Sequence, residues 1–232
     1  MTQSLQKIAL LWDIDGTLLN TQGVAANQLM ESFREVTGKE SSISPGQYSG
    51  FTDYEIVLDL LRKSESPPEI ELAEQILTHY GSRLLTRLLA NPPQLLADIQ
   101  KVFAETAKHP HIEHFIGTGN SNLGANSKIT ASGLSSYFDQ NSYFISTPTK
   151  VLRDSVIQSA AQTIKIPTLL IGDSDRDILS AQKNNLKVLA VATGHHKLEE
   201  LRSLNPDYTL DSNWSAQEFF EIISDFERSV ET

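Results

Sequence analysis

Two acidic clusters carry residue types that can do chemistry. In LLWDIDGTLLNT, Asp13 and Asp15 are two residues apart and point the same way while the chain stays extended, before Gly16 lets the backbone turn. Paired carboxylates repel each other unless a cation intervenes. The second cluster, LLIGDSDRDILSA, also follows an apolar run and contains Asp173, Asp175 and Asp177. These occupy positions one, three and five of a calcium loop, but the sixth position is Ile178 and the twelfth Asn184, so an EF-hand is excluded. Asp177 stands three residues after Ser174, the spacing of a capping box, and Asp175 reads as solvated. A metal bound by Asp13, Asp173 and a backbone carbonyl would have only hard oxygen donors, which favours Mg²⁺ over zinc and attracts phosphate. Between the clusters, HFIG leads into Thr118, Gly119, Asn120 and Ser121, a hydroxyl and free amides suited to phosphoryl oxygens. The run GTGNSN is no dinucleotide-binding turn, because it lacks the third Gly and begins far down the chain.

The elements that must position these groups follow a β-α rhythm. His114–Gly117, Tyr143–Ile145, Thr168–Gly172, Val188–Ala192 and Tyr208–Leu210 read as strands, alternating with helices over Lys150–Ile164, Asp177–Asn184 and Ser215–Glu227. Ile8–Trp12 is wholly apolar, as a central strand covered on both faces must be. Ligands of such sheets bind beyond the carboxyl ends of the strands, where both acidic clusters fall. Residues 20 to 90 break the rhythm with helix after helix: Val24–Thr37, a second opened by the Thr52/Glu55 capping box, and a third starting at Pro67 behind Ser66 and running through Leu89. Asn91-Pro92-Pro93-Gln94 reads as the start of the next helix. The expected fold is α/β, a Rossmann-like parallel sheet with helices on both faces plus a small all-helical cap domain. Residues 1–19 and 92–232 form the expected core and 20–91 the cap, with hinges near Asn20 and Asn91.

The chain of 232 residues has 19 basic and 29 acidic side chains, a net charge of -10 that disfavours nucleic acid and anionic membrane as partners. It has no cysteine, which removes thiol catalysis, thiolate metal sites and disulfides together. No secretion signal or spanning run is seen, and a cytoplasmic location is expected. The Asn213-Trp214-Ser215 sequon is therefore read as chance. His195 and His196 are neighbours that do not share a helix face, which disfavours a metal pair. Trp12, Phe33, Phe51, Phe219 and Phe220 are assigned to the core.

In chain order, Asp13-x-Asp15-Gly16-Thr17 after an apolar strand, a strand ending in Thr118, a basic residue before a helix, and Gly172-Asp173-Ser174-x-x-Asp177 resemble the haloacid dehalogenase superfamily of phosphatases. SGFTDYEIVLDLL resembles part of that family's helical cap, and LKVLAVATGHHKLEELRSLNPDYTLDS its closing strands and loop, so the resemblance covers nearly the whole chain. The insert between the first and second motifs is similar to the subclass that includes phosphoglycolate phosphatase and β-phosphoglucomutase. The resemblance implies Asp13 as nucleophile and Asp15 as acid and base, with Thr118, Gly119 and Asn120 binding phosphate. It also implies Mg²⁺ held by Asp13, the main-chain carbonyl of Asp15 and Asp173, with Asp177 close by. The third motif lacks its usual Lys-Pro pair; Lys150 is the favoured cation, and Arg153, one turn later, the alternative. The implied activity is Mg²⁺-dependent hydrolysis of a small phosphorylated metabolite through an aspartyl phosphate. A β-phosphoglucomutase-type phosphomutase and a catalytically silent binding protein are the alternatives. A dehalogenase would have no alkoxide for Asp15 to protonate.

Overall fold

A computed structural model describes residues 6–231. In chain order its elements are β1 (Ile8–Trp12), β2 (Leu19–Asn20), α1 (Val24–Thr37), α2 (Asp53–Lys63), α3 (Ile70–Ala90), β3 (Gln94–Leu95), α4 (Ile99–Thr106), β4 (Ile112–Gly117) and α5 (Asn122–Ala131). They continue with β5 (Tyr143–Phe144), α6 (Arg153–Thr163), β6 (Thr168–Gly172), α7 (Asp175–Lys183), β7 (Lys187–Val191), α8 (Leu198–Arg202), β8 (Tyr208–Leu210) and α9 (Ala216–Val230). Of the expected domain ranges, residues 1–5 and 232 lie outside the described chain.

Six strands form one sheet in the order β5-β4-β1-β6-β7-β8, every neighbouring pair parallel. The chain builds outward from β1 in one direction and then in the other, so the order reverses at β1, and there the crevice of an open α/β sheet opens. Ile8, Leu10 and Trp12 enter the cluster formed with α4 and α9, whereas Ala9 and Leu11 enter the one formed with α6 and α7. All five are fully buried, which only a strand covered on both faces allows. Each large side chain so buried contributes roughly 1.5–3 kcal/mol, enough to hold a strand that ends in two carboxylates.

Helices α1, α2 and α3 share a separate apolar cluster that includes Leu29, Phe33, Val57, Leu61, Ile76 and Leu84. The chain enters and leaves this unit through an antiparallel ribbon in which Leu19 faces Leu95 and Asn20 faces Gln94. Two expectations are corrected here. Helix α3 starts at Ile70 and not at Pro67, because Pro68 pushes the preceding residue out of the helical region. The double proline at 92–93 likewise leads into β3, and the next helix begins only at Ile99. Phe51, expected in the core, is half-buried with the Arg176 guanidinium 3.5 Å from its ring centre, because its loop lies against α7. Trp12, Phe33 and Phe219 are fully buried. No helix among the described residues is long and apolar enough to cross a membrane.

Candidate active site

The three strands at the reversal point each deliver one polar group. Trp12 is level with Ile116 on β4 and Ile171 on β6, and the Asp13 amide extends the ladder by donating to the Ile171 carbonyl at 2.9 Å. Asp13, Thr118 and Asp173 therefore leave the sheet at one edge. Gly16, at φ +81°, turns the chain back so that its carbonyl accepts from Thr193 Oγ1 at 2.6 Å. A Cβ at Gly16 would stand 2.4 Å from Asp173 Oδ2, so the missing side chain is what admits that carboxylate. Thr17 Oγ1 donates to Asp173 Oδ1 at 3.1 Å.

Asp13, Asp173 and Asp177 each offer a carboxylate oxygen within 4.8 Å of the others, the candidate metal cluster found among the described residues. Asp177 forms the expected capping box and also faces Arg153. Its Oδ2 accepts from Ser174 Oγ at 2.6 Å in a capping box, while its Oδ1 accepts from Arg153 Nε at 3.0 Å and from Nη2. The same guanidinium lies 3.1 Å from Asp13 Oδ1 and is only 3% exposed. Burial pushes Asp13 up to about 7 against the opposing pull of Arg153, and Asp177 and Asp15 add to the rise. Burial also raises Asp173 well above the carboxylate range, reinforced by Asp13 and Asp177.

Of the two cations offered by the sequence, the fold brings Arg153 to Asp13. Lys150 lies in the turn before α6, half-buried, and its ammonium forms no ion pair among the described residues. Arg153 opens α6 and points a planar fork at two carboxylates, a task a lysine point charge does less well. Thr118 is fully buried, and its Oγ1 accepts from Asn120 N at 3.3 Å and from Asn120 Nδ2 at 2.8 Å. The Gly119 carbonyl accepts from the Asp53 amide and from Ser146 Oγ, both at 2.8 Å. Asn120 Nδ2 donates to Asp15 Oδ2 at 2.7 Å.

Sequence reasoning missed Lys128. Its ammonium is buried on α5 and donates to Asp15 Oδ2 and Asn120 Oδ1, both at 2.6 Å. Burial alone would lower its pKa, but Asp15, Tyr80 and Asp53 overcome that and hold it charged. The available signal was periodic: Gly124 and Lys128 stand four residues apart on one face of α5, with Asn120 in the turn just before it. Asp53 was missed as well. It sits at the start of α2, and its Oδ2 accepts from Ser121 N at 2.7 Å and Ser121 Oγ at 2.8 Å, tying the helical unit to the loop after β4. His196 faces Asp175 at 3.7 Å and joins no metal cluster. A surface cavity of about 440 Å³ lined by Tyr48, Phe51, Arg62 and Leu152 lies beside this docking, and none of Asp13, Asp15, Asp173 and Asp177 lines it.

Residues 10–191 match the model of the haloacid dehalogenase-like hydrolases. The chain belongs to that family. At family level it is therefore a hydrolase of the phosphatase type, on the α/β fold expected from its sequence. It is 23% identical over 211 residues to pyrophosphatase PpaX of Oceanobacillus iheyensis, covering 87% of this chain and 91% of the relative. CbbY of Rhodobacter sphaeroides, solved with phosphate, superimposes with a TM-score of 0.68 at 19% identity over 87% of this chain and 92% of the other. The β-phosphoglucomutase of Clostridium difficile does so with a TM-score of 0.67 at 17% identity, covering 97% and 98%. These two likenesses bear on the fold.

Proposed function

We propose that this member of the family is a Mg²⁺-dependent phosphatase of small phosphorylated metabolites, with Asp13 as nucleophile and Asp15 as general acid and base. The convergence of Asp13, Asp15, Thr118 and Asp173 at one sheet edge, with two buried cations beside them, carries the reading. Phosphoryl transfer asks mainly for positioning and charge neutralisation. In this reading Arg153 holds Asp13 and the incoming phosphoryl oxygens, and Thr118 with the amides of Gly119 and Asn120 orients the rest. Asp13 attacks phosphorus in line to give an aspartyl phosphate. Asp15, positioned by Asn120 and Lys128, protonates the departing alkoxide and then takes a proton from the hydrolytic water. Residues 20–91 act as the cap that excludes bulk water, with residues 6–19 and 92–231 as the catalytic body.

The donor set fits Mg²⁺. Three carboxylates converge, all are hard oxygen donors, and the guanidinium of Arg153 is the cation paired with them among the described residues. Asp13, Asp173 and the Asp15 carbonyl would hold the ion, with Asp177 beside them. When bound it would neutralise charge on the phosphoryl oxygens. Turnover of p-nitrophenyl phosphate, removed by EDTA, restored by Mg²⁺ and absent in Asp13→Asn, tests the reading. Full activity without divalent ions, or in Asp13→Asn, would refute it.

A phosphomutase is the second reading, since Asp13 is only 8% exposed, as a water-excluding transfer requires. Conversion of a hexose 1-phosphate to its 6-phosphate would identify it.

A further inference from the structure

The Lys128 bound to Asp15, and not the Arg153 bound to Asp13, belongs to a second polar cluster built from the helical unit and α5. Tyr80 on α3 is only 2% exposed as a residue, while its hydroxyl, which forms no hydrogen bond among the described residues, is not among the fully buried polar atoms and so faces open space. It is brought there by two close approaches of backbone. A Cβ at Gly81 would stand 2.2 Å from Leu123 Cβ, and one at Gly124 would stand 3.3 Å from Tyr80 Cε1 and 3.1 Å from Asp53 Oδ2. Only helices that meet through glycine on both sides press this phenol and this carboxylate so close to α5.

The hydrogen-bond inventory of the cluster is specific. Lys128 has three N–H donors and spends two, on Asp15 and Asn120. Asp53 receives both Ser121 bonds on Oδ2, leaving Oδ1 uncommitted among the described residues. One ammonium donor, one phenol and one carboxylate acceptor therefore remain. Hydroxyl groups complement such a mixture because they both donate and accept. A carboxylate or phosphate can only accept, and would face Asp53 with nothing to offer it. The charge balance points the same way. Even with Asp15 protonated as the acid, Asp53 offsets the single positive charge of Lys128, so no surplus cation waits in this cluster for an anionic leaving group.

We propose that Tyr80, Asp53 and Lys128 form a leaving-group subsite that selects phosphate monoesters of neutral, hydroxylated small molecules over substrates whose leaving group carries a carboxylate or a second phosphate. This rests on the reading of Asp15 as the acid that protonates the leaving oxygen. Tyr80 and Asp53 are specificity residues that act on the departing alcohol and not on phosphorus.

The test measures kcat/KM with Mg²⁺ for glycerol 3-phosphate and a hexose 6-phosphate against 2-phosphoglycolate and pyrophosphate. The hydroxylated esters are expected to lead by about tenfold or more, the discrimination a hydrogen-bonding pocket supplies. Asp53→Asn keeps an oxygen for Ser121 while removing the negative charge, and should shrink that lead at least about fivefold through a gain on the anionic substrates. Tyr80→Phe should shrink it about fivefold through a loss on the hydroxylated ones, the worth of one hydrogen bond. Damage to the fold would depress all substrates together and leave the ratio alone. Equal or better use of the anionic substrates, or a ratio that neither variant moves, overturns the proposal. Calorimetric binding of the same compounds to Asp13→Asn separates this from the phosphatase reading. If the wild-type chain hydrolyses nothing but the hydroxylated esters still bind more tightly, that reading falls and the selectivity stands; equal binding, or none, overturns the selectivity.

Discussion

Arg153 and Lys128 are both buried cations, yet they serve different carboxylates. Arg153 is shared by Asp13 and Asp177, so truncating it leaves two buried carboxylates facing each other and Asp173. Removal of one partner from such a set costs about 3–5 kcal/mol. Arg153→Ala is expected to lose stability on that scale in EDTA and to regain more of it from Mg²⁺ than the wild type does, as read by thermal melting with and without the ion. Equal Mg²⁺ stabilisation of both would show that the ion and the guanidinium do not compensate the same charges. His114 gives a second prediction, away from the site. Trp12 Nε1 can only donate and does so to His114 Nδ1 at 3.0 Å, which fixes the neutral tautomer whose Nε2 faces Thr106 Oγ1 at 2.9 Å. Burial lowers its pKa from 6.5 to about 4. Between those values the unfolded chain binds the extra proton, so stability is complete above pH 6.5 and falls as the pH drops toward 4, by about 3 kcal/mol in all. Urea unfolding across that window should show the decline in the wild type and a flatter profile in His114→Gln; identical profiles would remove His114 as the cause.

The contact of α3 with α5 makes the reverse of the usual glycine prediction. Alanine in place of a mid-helix glycine normally gains about 1 kcal/mol, but here the new methyl would meet Leu123 Cβ, and overpacking costs about 1–3 kcal/mol. Gly81→Ala should lower the melting temperature and displace Tyr80, and Leu123→Gly in the same chain should recover part of the loss. Unchanged stability would mean that the two helices separate freely. None of this contact was legible in the sequence, since a glycine inside a helical pattern does not name its neighbour. What was legible had a local cause. Ile8–Trp12 is apolar at every position, Thr52 and Glu55 cap each other across three residues, and Ser174 and Asp177 do the same. Sequence reasoning failed where a local cue met a competing one, as where the cap signal at Ser66 and Pro67 was overruled by Pro68. It failed again where the cause was distant. Lys128 is 113 residues from Asp15, and a lysine on a helix reads as solvated until the partner is in place. The choice between Lys150 and Arg153 likewise depended on where α6 begins, a boundary set by packing.

At the scale of the whole molecule, the helical unit and the sheet body meet through the packing of α3 on α5 and through a few polar contacts. The Asp53 amide donates to the Gly119 carbonyl at 2.8 Å, Thr52 Oγ1 donates to the Val151 carbonyl, and Arg176 pairs with Glu55 at 2.9 Å while stacking on Phe51. Asp13 and Arg153 are buried while the Asp15 side chain stays 44% exposed, so on the proposed reading a substrate gains Asp13 as these contacts part, with the Leu19–Asn20 and Gln94–Leu95 ribbon as the place where the backbone can flex. Arg176 contributes the most separable part of this closure. Its stacking is worth about 0.5–2 kcal/mol and its partly buried ion pair about 1 kcal/mol, so their loss should raise the open population about tenfold. Arg176→Ala is therefore expected to speed hydrogen exchange at the Asp53 amide by that factor, while the amides of Leu10 and Leu11 in β1 exchange as in the wild type. Acceleration at β1 as well would mean that the substitution loosens the whole fold. No acceleration at Asp53 would place the closing force elsewhere, in the apolar contact of α3 with α5.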